Sequence, residues 1–156
     1  MPTALQNNAP NQIRLCVDAS LVLHLLLPYE RDPNTESLWT SWASTGVHVV
    51  GPALLYAEVT SVIRLRVATG KLTPEEGERA FSSFNDLRIT RIDRDDLHLR
   101  AWELAKTHKT QRAYDMMYLA LAELEDIELW TGDERFINSV GKHESRVHWA
   151  PAQNAP

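Results

Sequence analysis

An apolar run that stops on a carboxylate is the strongest constraint in this sequence. Over residues 13–27 the chain reads IRLCVDASLVLHLLL: a short strand-type run, then Asp18, then a second apolar run. Ile13, Leu15 and Val17 with Cys16 give the pattern of a strand buried on both faces, as in a central parallel strand covered by helices. A helix follows, opened by Ala19 or Ser20 and stopped after Leu27 by Pro28. Asp18 therefore falls at the carboxyl end of a central strand, the edge on which open α/β sheets bind ligands. An N-cap on the following helix is the simpler use of the same residue, and this stretch alone leaves both readings open.

The alternation continues along the chain. Residues 35–44 place Leu38, Trp39, Trp42 and Ala43 at helical spacing before Gly46, and residues 47–50 form a second strand closed by Gly51 and Pro52. Residues 53–68 form an amphipathic helix ending at Gly70. Thr73, Pro74 and Glu76 open the next helix with capping-box spacing, and it runs to about residue 86 with Ala80, Phe81 and Phe84 inward. A third strand over 87–92 buries Ile89 and Ile92. Helices over 97–108 and 113–125, a strand over 128–131, a short helix over 134–140 and an edge strand over 146–149 complete the chain. Alternating strands and helices predict an α/β fold around a mostly parallel sheet. A chain of 156 residues suits one domain that buries its core without staples. Residues 13–150 form that domain, between a polar arm over 1–12 and a proline-containing tail over 151–156.

Composition narrows the function. The one cysteine, Cys16, lies inside the first strand, which excludes an internal disulfide and makes it a core thiol. No apolar run approaches the roughly 20 residues of a membrane span, and residues 1–12 lack the basic and apolar regions of a signal peptide, so the expected location is the cytoplasm with no membrane contact. A net charge of -5 argues against a protein that coats nucleic acid. It is compatible with a nuclease, because acids gathered around a divalent cation have their local charge reversed. The six histidines, at 24, 48, 98, 108, 143 and 148, form no pair at zinc-ligand spacing.

Four acids stand out. Glu58 projects between Leu54 and Val62 inside the apolar arc of its helix, where a carboxylate needs an arginine, a proton or a metal. Asp115 lies in a helix apolar almost all round, flanked by Tyr118, Leu119 and Ala122, and function outweighs capping there. Asp133 follows the strand over 128–131 and Gly132, which repeats the layout around Asp18 on the same rim; an N-cap is again the plain alternative. Asp93, Asp95 and Asp96 lie close together as metal ligands do, but Asp95 or Asp96 at the start of the next helix is more simply a cap and dipole partner. Two acids at strand ends and two on helix faces describe an oxygen-ligand site for a hard cation, and the matching chemistry is metal-assisted phosphodiester hydrolysis.

In order, VDAS, PALLYAEVTSVI, AYDMMYLALAE and WTGDERF resemble the PIN-domain nucleases, especially VapC-like toxins of toxin–antitoxin pairs. The resemblance covers about residues 14–149 and implies a three-layer α/β/α sandwich and a ribonuclease dependent on Mg²⁺, with Mn²⁺ able to substitute. It carries the family's acids onto Asp18, Glu58, Asp115 and Asp133, as metal ligands around one or two cations that activate a water and polarise the phosphate. Ser20 and Thr131 match the hydroxyl positions that support them. Lys106, Lys109 and Arg112, just before Asp115, are candidate phosphate grips. RNA substrate, an antitoxin protein and a homodimer are the implied partners, with Trp39 and Trp42 as possible dimer anchors or core residues. No other cofactor is implied. Two alternatives are a catalytically silent binding domain of the same fold and a phosphatase with Asp18 as nucleophile; Ser20 stands where such phosphatases carry a second aspartate.

Overall fold

The computed structural model describes residues 12–141 and 144–152. Five strands form one all-parallel sheet: β1 (Arg14–Val17), β2 (His48–Gly51), β3 (Thr90–Arg91), β4 (Glu128–Thr131) and β5 (Val147–Trp149), in the spatial order β3-β2-β1-β4-β5. The helices are α1 (Ala19–Leu26), α2 (Pro33–Thr45), α3 (Ala53–Ala68), α4 (Pro74–Asp86), α5 (Leu97–Thr107), α6 (Tyr114–Glu125) and α7 (Glu134–Val140), with a 3-10 turn over Ala150–Ala152. The chain moves outward from β1 through β2 to β3, then returns to the other side of β1 as β4. Right-handed crossovers therefore place the helices after β1 and β2 on one face and those after β3 and β4 on the other. The strand order reverses between β1 and β4. In such sheets the crevice at the carboxyl ends of those two strands is the expected ligand site.

The first strand is central because it has nothing polar to expose: Leu15, Cys16 and Val17 are buried between the two helical layers. Burial also pushes the Cys16 thiol up, out of the range of reactive cysteines. Ile13 lies outside this strand and is 68% exposed, contrary to the two-sided burial expected of it. The strand begins with Arg14, whose guanidinium reaches Glu125 at 3.2 Å. The third strand also shrinks, from the six residues expected to two. Leu87 caps α4 and Arg88 sits at φ 53°, so the segment turns before it can pair.

Two helices differ from their periodicity. α2 starts at Pro33, not 35, because Asp32 caps it by accepting from the Thr35 backbone at 2.7 Å and proline fits the first turn. In α4, Thr73 and Glu76 form the expected reciprocal capping box, while Phe81, expected inward, is 40% exposed beside the buried Phe84. Trp42 is a core residue. It is 8% exposed and meets Trp130 edge-on with centroids 5.4 Å apart, which removes it as a dimer anchor. The expected arm and tail fall almost entirely outside the described residues; at their borders the Gln12 amide donates to the Gly46 carbonyl and the Asn34 amide to the Pro151 carbonyl. Among the described residues no helix is long and apolar enough to cross a membrane.

Candidate active site

β1 ends on Val17, and the next residue, Asp18, is both the N-cap of α1 and a buried carboxylate, 6% exposed. Its Oδ1 accepts from the Ser20 hydroxyl at 2.7 Å and from the Leu21 backbone at 3.0 Å, and its Oδ2 accepts from the Thr131 hydroxyl. Thr131 ends β4, so this last bond crosses the point of strand-order reversal. The strand-end loop completes the lattice: the Gly132 N–H donates to Ser20 Oγ at 2.9 Å and the Asp133 N–H to Thr131 Oγ1 at 3.0 Å. Gly132 leaves little room for a side chain. A Cβ there would lie 2.7 Å from His24 Nδ1 and 3.1 Å from the Leu21 nitrogen.

Glu58 and Asp115 come from α3 and α6. The buried centre of α3 is Leu55, Val59 and Ile63, and Glu58 lies on the half-buried flank between Leu54 and Val62 instead of deep in the arc. There it accepts the Tyr118 hydroxyl at 2.7 Å. Asp115 is in the first turn of α6, makes no cap hydrogen bond, and is accessible. Asp133 caps α7 through the Arg135 backbone at 2.9 Å and pairs with the Arg135 guanidinium at 3.2 Å. Asp115, Asp133, Arg112 and Arg135 line one open cleft of about 500 Å³.

The PIN domain family profile matches residues 15–141, from β1 to the end of α7. The chain belongs to the PIN-domain family. Ribonuclease VapC9 of Mycobacterium tuberculosis is 33% identical to it over 137 residues, covering 88% of this chain and 98% of that protein. A toxin–antitoxin complex from Klebsiella pneumoniae shares the fold with a TM-score of 0.62 at 15% identity, over 86% of this chain and 95% of that one. VapBC2 from Rickettsia felis, solved bound to a DNA fragment from its promoter, gives a TM-score of 0.62 at 13% identity, over 86% and 96% of the two chains.

In this PIN domain the acids are under electrostatic load. Burial pushes the Asp18 carboxyl up, against the pull of its hydrogen bonds from Thr131, Leu21 and Ser20, and the charge of Asp115 adds to the rise. Glu58 is raised by loss of water, with Asp115 and Asp18 adding to it and Tyr118 opposing. Asp115 is raised by the protein around it and by Asp133, and Arg135 offsets part of that. Among the described residues no Lys, Arg or His forms an ion pair with Asp18, Glu58 or Asp115. Carboxylates without an ion-pair partner at a strand-order reversal have the oxygen chemistry that hard divalent cations prefer. They do not form a closed cage: among the described residues no three His, Cys, Asp or Glu side chains gather tightly enough to hold an ion by themselves. Mg²⁺ does not require one, since it binds through one or two carboxylates and fills its octahedron with waters and phosphate oxygens.

Two residues of this PIN domain site have no mark in the sequence pattern. Tyr118 is one turn beyond Asp115 on α6 and reads as core, which most of its ring is; only its hydroxyl serves Glu58. Arg135 follows the capping Asp133 and faces the same cleft as Arg112. Of the basic stretch expected to grip phosphate, Arg112 lines the cleft, whereas Lys106 bonds Glu103 at 2.8 Å and lies over the Trp102 ring. Asp96 holds the N-cap position of α5, yet its carboxylate goes to the Arg94 guanidinium at 2.8 and 2.9 Å and not to the helix.

Proposed function

We propose that this PIN domain is a divalent-metal-dependent ribonuclease that hydrolyses RNA phosphodiester bonds and acts as the toxin of a toxin–antitoxin pair. The observation that carries the reading is Asp18: a carboxylate buried at the sheet's reversal point, held by three donors, with burial and the charge of Asp115 raising its proton affinity. Burying a charge in this way is costly unless something of opposite sign meets it. Identity of 33% to a VapC ribonuclease over nearly all of both chains supports the same reading.

Asp18, Glu58, Asp115 and Asp133 are the residues that would hold the metal, with Mg²⁺ as the ion and Mn²⁺ as its substitute. A bound cation supplies an activated water at neutral pH and polarises the scissile phosphate. Ser20 and Thr131 fix the Asp18 carboxylate in one orientation. Tyr118 does the same for Glu58. Arg112 and Arg135 flank the cleft and give the phosphate backbone its positive contacts. Asp18 has no role as a covalent nucleophile in this scheme, because a metal-activated water is the attacking group.

The antitoxin partner rests on the fold shared with the Klebsiella and Rickettsia complexes, and the homodimer on family resemblance, now without Trp42 as its anchor. A cytoplasmic location belongs to the same reading, as the place where a toxin would meet cellular RNA. The deciding experiment incubates the purified chain with single-stranded and folded RNA in Mg²⁺, in Mn²⁺ and in excess chelator. Cleavage in both metals and none in chelator is expected; full cleavage in chelator, or none in any condition, overturns the reading. Co-purification with the product of a short adjacent reading frame tests the antitoxin, and light scattering at micromolar concentration tests the dimer.

A further inference from the structure

A second cavity lies beside the acids. It has a volume of about 330 Å³, within the range of small-ligand sites, roughly 300–1,000 Å³. Its walls are the half-buried Leu54, Ile92, Leu97 and Met117, and its edge is Tyr114, a large aromatic left 56% exposed. Helix geometry ties it to the proposed site. Leu54 is one turn before Glu58 on α3, and Tyr114 is one turn before Tyr118 on α6, so the cavity opens one turn from the Glu58–Tyr118 hydrogen bond. Tyr114 and Asp115 are consecutive, and consecutive helical residues point about 100° apart. Asp115 therefore faces the cleft with Arg112 and Arg135, while Tyr114 faces this one.

We propose that this cavity is a nucleobase subsite, in which Tyr114 stacks one unpaired base of the RNA next to the phosphate held at Asp115. The proposal rests on the ribonuclease reading above. A phosphate would not enter: the cavity's one basic lining residue, Arg94, is occupied by Asp96 and Glu125, and Asp93 and Asp95 stand at the rim. Those conditions suit a base. Sequence readout of RNA works mainly on single strands, whose free bases stack on aromatic side chains and bond through their edges. Asp93 is shared with Arg91 at 3.0 Å, and Asp95 completes a rim able to accept from an exocyclic amino group. The subsite therefore favours adenine, cytosine or guanine over uracil.

The test uses the full chain and short oligoribonucleotides with 2-aminopurine placed at successive positions around the cleavage point. With Ca²⁺ in place of Mg²⁺, fluorescence is expected to be quenched at one position. Tyr114→Ala should abolish the quenching and weaken binding about tenfold, the scale of one base stacked on an aromatic ring, whereas Tyr114→Phe should keep both. In Mn²⁺, an abasic residue at that position should slow the parent about tenfold and Tyr114→Ala no further. Quenching and binding by Tyr114→Ala equal to the parent would overturn the subsite and leave the nuclease standing. Unchanged RNA behaviour with weakened self-association in light scattering would give the cavity to a second copy, and also overturn it. A parent that cleaves nothing in Mn²⁺ overturns the ribonuclease reading, and the Ca²⁺ arm still reports on the subsite.

Discussion

The Tyr118 hydroxyl donates to Glu58 at 2.7 Å and joins α6 to α3 across 60 positions of sequence. The tyrosine ring is core, so Tyr118→Phe removes the donor and leaves the packing. Glu58 then loses the contact that opposes its raised pKa. We expect a stability loss of about 1 kcal/mol, the usual worth of one hydrogen bond, in denaturant melts. Apparent Mn²⁺ affinity, measured by titration calorimetry, should fall more at pH 6 than at pH 8, because a proton then competes better for Glu58.

Metal-free stability should depend on pH in a direction set by three raised carboxyls. Asp18, Glu58 and Asp115 keep protons in the folded chain to higher pH than in the unfolded one, where aspartate and glutamate titrate at about 3.9 and 4.3. The native state binds the extra protons in that window, so stability falls as pH rises through it. Denaturation midpoints in chelator should drop as pH rises above the ordinary carboxyl range, and saturating Mn²⁺ should flatten the slope. Asp96, lowered by Arg94, acts in the opposite sense and only on the acid side of its ordinary value. A midpoint that instead climbs with pH above the ordinary carboxyl range in chelator would show that the three acids are compensated.

Asp115→Asn separates function from stability. Asp115 has no cap hydrogen bond, and its neighbours include Asp133, so the amide keeps the shape and removes a repulsion. Cleavage in Mn²⁺ should be lost, while the metal-free melting temperature stays level or rises, as neutralising a functional-site charge commonly does. A destabilised variant that still cleaves RNA would remove Asp115 from the site.

Thr131→Val should instead cost stability. Thr131 is fully buried, donates to Asp18 and accepts from the Asp133 backbone, so valine strands both partners. Hydrogen bonds to a charged group are worth about 1.5–3 kcal/mol, and urea denaturation at pH 7 should show a loss of that order, with cleavage reduced. Thr131→Ser, which keeps the donor, should recover most of it.

The fold was legible wherever burial and capping agreed. The residues of β1, the helix behind it and the Thr73 capping box stand where periodicity places them, because each is fixed by its own neighbours in sequence. The failures share a cause. Ile13 and Phe81 look like core and are exposed, and Trp42, readable as dimer anchor or core, is core, because the identity of a packing partner is tertiary information. The third strand was too long because a left-handed Arg88 cannot be read from its side chain. At the site, position along the chain singled out the acids. Their supports were less visible: Tyr118 hides a hydrogen bond inside a core residue, and Arg135 owes its place to the cap before it.

Asp18 and the hydroxyl that steadies it are 113 residues apart. A ribosome adds about 5–20 residues per second, so the first carboxylate leaves several seconds or more before β4 exists to complete its surroundings. Contacts of such long range also slow folding, since the loop must close before they contribute. A nascent or prematurely terminated chain ending before Thr131 has its first acid and no finished site. Construction order alone thus delays completion of the Asp18 surroundings until β4 has been made.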